Sequence, residues 1–352
     1  MRALLLALAI GCGSEPSTDD MPPPMDGGVE DGGMEERCTL PQVQEPTPPA
    51  DPQPVVWSCP TGWRVVDGCS PWPENGPLDC PPGEAHFPGS AGCESIGTDC
   101  PLGQFADPPP EYSTWVHLYV DRNARAGGDG MTAQTATTAL IYALRTAIDT
   151  SAPTIVLVAK GEYTTNVLPV RSDMAIFGAC VRDTIVRSST TATDPNSYFG
   201  GSIGTNASIE NLTISIDAYG IVATPDSELR LRGVVLEGAT TIGFAAFSGS
   251  MLDAQRVVVR GVATGLGMDA AAFLSQAGNA VLDQVIAEDA DIGLLVQPNQ
   301  SGDPGTMRAT AVHLRDDQGH SLLEAVGRRL VDDDGTAADG TGDELARRGG
   351  AD

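Results

Sequence analysis

Positive charge is scarce in this chain. Only 20 of its 352 residues are Lys or Arg, against 47 Asp and Glu, and the formal net charge is −27. That excess excludes electrostatic binding to nucleic acid or to an anionic membrane surface. No run of about 18 apolar residues occurs, which excludes a membrane-spanning helix. Proline and cysteine are also nearly missing, but only from one part: residues 111–352 hold 6 of the 27 prolines and 1 of the 8 cysteines. The first 110 residues hold the rest, with 17 acidic and 3 basic side chains. Two kinds of polypeptide are therefore joined near Pro108-Pro109-Pro110.

The first stretch, Met1-Arg2 followed by the apolar run Ala3 to Ile10, has the positive-apolar-small pattern of a secretory signal. Gly11-Cys12 follows at once, and Ala9-Ile10-Gly11-Cys12 resembles the lipobox of bacterial lipoproteins. The resemblance implies a signal peptide over residues 1–11 and acylation of Cys12. It also implies attachment to a membrane through more than one acyl chain, since each buried methylene contributes only about 0.8 kcal/mol. Gly13 stands where an aspartate often marks inner-membrane retention, so the outer membrane is the expected location. Residues 12–37 have no apolar periodicity and read as a disordered acidic linker.

Cys38, Cys59, Cys69, Cys80, Cys93 and Cys100 then mark a cysteine-rich module over residues 38–110. An exported chain meets an oxidising compartment, where such cysteines pair as disulfides. The gaps of 9 to 20 residues between most of them contain no CxxC pair, so a structural metal site is not expected. Six cysteines allow fifteen pairings, and spacing does not choose among them. With Cys12 acylated, Cys180 is left over. It sits in the apolar run Ala175 to Val181 without a basic neighbour, which reads as a buried structural thiol.

From Trp115 onward the chain turns to short apolar runs. Val116 to Val120 is strand-like, a helical stretch over 135–149 places Leu140, Ile141, Leu144 and Ile148 on one face, and Thr154 to Ala159 reads as a buried strand. Beyond residue 205 the sequence repeats. Glu210 to Ser215 overlays Arg232 to Glu237, Gln255 to Arg260, Asp283 to Glu288 and Thr310 to Arg315. The leading apolar residues, Leu212, Val234, Val257, Val285 and Val312, are 22, 23, 28 and 27 residues apart. A glycine and apolar pair follows most copies, as at Gly220-Ile221-Val222 and Gly243-Phe244-Ala245, and a third short run precedes the next. A period in the low twenties with three short strands predicts a solenoid of stacked parallel strands around one apolar core. Alternation points Leu212 and Ile214 inward and Thr213 and Ser215 outward. Stacking then predicts an outward ladder of Ser215, Glu237, Arg260, Glu288 and Arg315, with mostly alternating sign.

These motifs resemble the right-handed parallel β-helix, or pectin-lyase-like, proteins. The likeness covers about residues 115–330 and rests on Leu118-Tyr119-Val120-Asp121, Gly128-Asp129-Gly130, Ile155 to Tyr163 and Met174 to Ala179. It implies an all-β, right-handed parallel β-helix over 111–331 whose N-terminal end is capped by the helix; the acidic residues 332–352 beyond it read as a disordered tail. The whole chain is similar to cysteine-rich lipoproteins of Gram-negative bacteria that carry such a domain.

Many proteins of this fold degrade polysaccharides, which makes the acidic and basic residues of the repeats the candidate catalytic groups. Asp316-Asp317 and Gly319-His320 lie on one coil here, whereas the galacturonan-hydrolysing branch places its acidic pair and Gly-His on successive coils. The lone lysine, Lys160, falls in the N-terminal turn, away from any acidic cluster of the pectate-lyase kind. Glu237, Arg260, Glu288 and Arg315 come nearest to such a site, and read more simply as a salt-bridged ladder. Asp332 to Gly335 fails the spacing of a calcium loop. No HExxH, P-loop or dinucleotide fingerprint occurs. No catalytic residue, metal or cofactor is thus expected. The expected role is that of a non-catalytic surface lipoprotein that contacts its membrane through lipid and uses its scaffold for adhesion, glycan contact or envelope structure. The alternative is a polysaccharide lyase or glycoside hydrolase.

Overall fold

A computed structural model describes residue 59 and residues 62–66, 69–191, 198–217, 219–262 and 270–315, with the backbone of three short strands beyond them. The chain divides into two compact units, 1–56 and 57–352, and every described residue lies in the second. The expected signal peptide, linker and acylation at Cys12, together with Cys38 and most of the acidic tail, lie outside the described residues.

Four two-residue strands open the described chain: β1 (Arg64–Val65), β2 (Cys69–Ser70), β3 (Glu84–Ala85) and β4 (Glu94–Ser95). They form two small antiparallel pairs, β1 with β2 and β3 with β4. Next come β5 (Val116–Val120), the helix α1 (Leu140–Asp149), β6 (Thr154–Val158), β7 (Gly161–Thr165), β8 (Leu168–Arg171), β9 (Met174–Gly178), β10 (Thr184–Thr191) and β11 (Tyr198–Ile203). The repeat region supplies β12 (Ala207–Asp217), β13 (Tyr219–Ala223), β14 (Glu228–Glu237), β15 (Ile242–Ala246) and β16 (Met251–Arg260). It continues with β17 (Ala271–Gln276), β18 (Asn279–Glu288), β19 (Ile292–Gln297) and β20 (Thr306–Arg315), and three short strands follow.

Nearly all of these strands pair in parallel, in one sheet of twelve and one of seven. Strands β12, β14, β16, β18 and β20 are successive neighbours in the first sheet, while β13, β15, β17 and β19 are neighbours in the second. The chain thus alternates between two stacks, an all-β architecture compatible with a β-helix. The register follows the sequence repeat: Leu212 pairs with Val234, Val234 with Val257, Val257 with Val285 and Val285 with Val312. In the second sheet Ile221, Phe244, Phe273 and Leu294 stand in one row, and the rings of Phe244 and Phe273 stack with centroids 5.8 Å apart.

Two of the three short runs expected per repeat are one long strand with a corner in it. Leu229-Arg230-Leu231 and Val234-Val235-Leu236 both belong to β14, separated by Arg232 and Gly233. The corner residue is left-handed in every copy: Asn211, Gly233, Arg256, Gln284 and Ala311 have φ between +51° and +59°. Neighbours on either side stay in register, so one left-handed residue turns the strand without ending the ladder. That conformation is easy for glycine and tolerated by asparagine, but strained for the other three.

Alternation places Leu212, Ile214, Val234, Leu236, Val257, Val259, Val285 and Ala287 in one continuous buried core. Helix α1 packs on β5, β6, β7 and β8. Its buried face is Leu140, Ala143, Leu144 and Ala147, rotated from the expected stripe: Ile148 is 38% exposed and Ile141 only partly covered. The helix also starts at Leu140 rather than near 135, because Ala133–Thr135 forms a separate 3-10 turn capped by Thr132. At its C-terminal end the Arg171 guanidinium donates to the carbonyls of Ala147 (2.9 Å) and Ala152 (3.0 Å), and also to those of Thr150 and Ser172. This gives the Ala147 carbonyl, in the last helical turn, a second donor beside the Thr150 N–H at 3.3 Å. Among the described residues no helix is long and apolar enough to cross a membrane.

Candidate functional site

The outward rows of the first sheet decide what the surface can do. Ser215, Glu237, Arg260, Glu288 and Arg315 stand in register as one column. Arg187 extends it by one rung, paired with Ser215 across the sheet and donating to the Ser215 hydroxyl at 2.9 Å. The expected chain of alternating ion pairs is reduced, however, to separate contacts. Arg260 Nε meets Glu288 at 2.8 Å, and Arg187 turns to Glu162 at 2.6 Å. Glu237 makes no ion pair among the described residues, and the Arg315 side chain lies outside them. Such half-exposed pairs each contribute about 0–1 kcal/mol, so they protect register more than they hold the fold.

The adjacent outward row is unexpected in character. Thr213, Val235, Val258, Ile286 and His313 follow one another in register, and three of the five are aliphatic. Water does not reach them. Ala85, Phe87 and Ile96, from the cysteine-rich stretch, bury Val235, Val258 and Ile286 in a second apolar cluster. Thr213 is covered too, and donates to the Val181 carbonyl at 2.8 Å. Residues 94–98 then run as a strap along the left-handed corners. Asn211 holds Thr98 by two hydrogen bonds, at 2.7 and 2.8 Å. The strap passes so close to Gly233 that a Cβ there would lie 2.6 Å from the Gly97 Cα. Arg256 reaches Glu94 at 2.8 Å and the Ser95 carbonyl, with its guanidinium carbon 4.7 Å from the Phe87 ring centre. One signal for this cover was present: a repeat whose outward positions are Val, Val and Ile needs a partner for them.

Disulfides fix the strap. Cys80 is bonded to Cys93 and Cys100 to Cys180; Cys59 is also disulfide-bonded, and the Cys69 side chain is not described. Cys180 is therefore not the free buried thiol expected from the count. It is buried as expected, at 1% exposure, but Cys100, at the end of the strap, is bonded to it across 80 residues of sequence. The sulfurs of this pair and a carboxylate oxygen of Asp183 lie within 4.8 Å of one another. Bonded to each other, these sulfurs are not the thiolates a metal requires.

Between residues 77–86 and the ladder lies an open cleft of roughly 160 Å³, lined among others by Asp79, Glu84, His86, Arg260, Glu288 and His313. Two residues of the expected column thus enter one site, while Glu237 stays outside it. Asp79, Glu84, His86 and His313 were not singled out from sequence. His86 is buried at 4% exposure, with Nδ1 accepting from the Leu78 N–H at 2.9 Å and Nε2 placed 3.1 Å from the Ser90 carbonyl. The Trp72 ring stands edge-on between His86 and His313, with centroids 5.1 and 4.7 Å away.

A second buried polar group sits on the N-terminal side. Tyr112 donates its hydroxyl proton to Glu210 and lies 3.0 Å from the Ser208 hydroxyl, beneath a cover that includes Phe105, Trp115 and Tyr119. Burial pushes the Glu210 carboxyl above the usual carboxylate range, and the same burial, aided by the Glu210 charge, pushes the Tyr112 phenol up. A carboxyl raised in the folded state binds its proton more tightly there than in the unfolded chain. Stability from this group is therefore present below the unfolded value and falls as pH rises through the folded one. Glu210→Gln keeps an acceptor for Tyr112 without the charge. It is expected to raise the melting temperature by a few degrees at pH 8 and little at pH 4, as thermal denaturation at both pH values would record. Equal effects at the two would sink the assignment.

Compared with protein-family models, curated proteins and solved structures, the chain matches none.

Proposed function

We propose that the chain is a non-catalytic, lipid-anchored envelope protein whose right-handed parallel β-helix, of the pectin-lyase-like type and capped at its N-terminal end by α1, is a scaffold for adhesion, glycan contact or envelope structure. The observation that carries this reading is how the sheet's outward groups are used. Arg260 is engaged by Glu288 and Arg187 by Glu162 and Ser215, while the neighbouring aliphatic row is sealed by a disulfide-fixed strap. Groups committed to one another and to the fold serve shape and register. Acylation of Cys12 at the bacterial outer membrane accounts for the export signal and for the acidic linker that would hold the folded part away from lipid.

The second reading, a polysaccharide lyase or glycoside hydrolase, is favoured by one observation: Arg260 and Glu288 share a cleft with further carboxylates and two histidines. A soluble form lacking the first 12 residues, incubated with a panel of acidic and neutral polysaccharides, separates the two. The scaffold reading expects no release of reducing or unsaturated ends. Release that disappears in Glu288→Ala and Arg260→Ala would replace it with the enzymatic one. Anchoring is tested separately by labelling with a radioactive fatty acid: incorporation is expected in the intact chain and lost in Cys12→Ala, and undiminished label in that variant would refute the anchor.

A further inference from the structure

The segment 77–93 forms a flap over the cleft, and one buried side chain holds its near edge. The His86 ring is clamped between a group that can only donate, the Leu78 N–H at 2.9 Å, and a group that can only accept, the Ser90 carbonyl at 3.1 Å. Nδ1 must therefore present a lone pair and Nε2 must carry the proton. The closed flap accommodates this one tautomer of the neutral ring. A second proton would have to sit on Nδ1, where the backbone N–H of Leu78 already points, and would set donor against donor.

We propose that His86 is an acid-operated latch: uptake of a second proton releases Leu78, lifts the near edge of the flap and widens the cleft over Arg260 and Glu288. Charged groups lie around the ring on several sides. Asp79, Glu84 and Glu288 line the same cleft, with Arg260 opposing them. His313 faces His86 across Trp72, whose carbonyl is held by Arg64 at 2.6 Å. Arg256, over the adjoining Phe87, is neutralised by Glu94. The base of the flap stays in place on opening, because the Cys80–Cys93 disulfide and the β3–β4 pair join its two sides. Movement is thus confined to residues 77–79, since Phe87 is fully buried in the apolar cluster and the Pro71 carbonyl holds the Gly89 N–H at 3.0 Å. The Leu78 side chain, 45% exposed, adds little to hold residues 77–79 down.

Hydrogen–deuterium exchange of the intact chain, corrected for intrinsic rates, tests the latch between about pH 8 and about pH 5, the range in which histidine changes charge. Protection at Leu78 is expected to fall by about tenfold or more on acidification, with β14, β16 and β18 unchanged. His86→Gln supplies an acceptor and a donor but does not titrate, and is expected to keep the flap protected at both pH values. Wild-type protection that does not change would overturn the proposal, as would a loss that persists in His86→Gln. A loss abolished by His313→Gln instead would assign the response to the other face of Trp72 and overturn it equally. Should His86→Gln lose core protection, the wild-type imidazole nitrogen resonances decide. A proton on Nδ1 at neutral pH, or a Leu78 amide resonance that ignores the titration of His86, is incompatible with the latch.

Discussion

Removing the Cys100–Cys180 disulfide, as Cys100→Ala/Cys180→Ala, is expected to lower the unfolding free energy by about 2–5 kcal/mol. The sequence separation of 80 residues sets the upper end: closing so long a loop removes unfolded-chain entropy equivalent to about 4.5 kcal/mol. The folded state contributes as well. This bond ends the strap that buries Val235 and Val258 beneath Phe87 and Ile96, so losing it loosens an apolar cover and not just a terminus. Proteolysis near residues 94–100 should accelerate before the stacked strands are attacked, since those strands keep their own ladder and core. Urea denaturation followed by circular dichroism, with mass spectrometry of a protease time course, measures both effects. An unchanged midpoint together with an unchanged cleavage pattern would show that the strap is held by its other contacts alone.

The stacked register was legible because it is written as spacing. Leu212, Val234, Val257, Val285 and Val312 recur with the same polar and apolar neighbours, and parallel stacking needs nothing more than that recurrence. The ladder column of Ser215, Glu237, Arg260, Glu288 and Arg315 followed from the same overlay. Three things were not legible in this way. The corner conformation is suggested by Asn211 and Gly233, but Arg256, Gln284 and Ala311 have no preference for positive φ and adopt it because the ladder on both sides requires it. Pairing of Cys100 with Cys180 depends on where the strap runs, which no count of cysteines reveals. The cleft arises from the same cause: His86 and His313 lie far apart in sequence and meet the same Trp72 only because the flap folds across the sheet. The outward Val235, Val258 and Ile286 were in view throughout. Their chemistry demanded a cover, although not its identity.

Asn211 is the residue whose loss should expose that interdependence most clearly. It occupies a left-handed corner at φ +59° and is 2% exposed. Its side-chain oxygen accepts from the Thr98 N–H at 2.8 Å. Its amide donates to the Thr98 hydroxyl (2.7 Å) and to the carbonyls of Gly178 (2.8 Å) and Ala179 (3.1 Å). One side chain thereby ties the strap, the end of β9 and the corner of β12 together. Asn211→Ala deletes those bonds inside a dry site, where each group left without a partner costs about 1–3 kcal/mol. It also puts a Cβ-bearing residue with no compensating polar group in the left-handed region, for about another 1 kcal/mol. The expected total is about 3–5 kcal/mol, read as a lowered urea midpoint with early loss of amide protection at Thr98. Asn211→Gly separates the two contributions, because glycine loses the hydrogen bonds but adopts the corner freely, as Gly233 does one rung along. It should therefore be about 1 kcal/mol more stable than Asn211→Ala while remaining well below the wild type. If the two variants unfold together, the corner is unstrained. If both stay within about 1 kcal/mol of the wild type, the strap does not depend on Asn211, and the Cys100–Cys180 bond and Arg256 are what keep the outward aliphatic row dry.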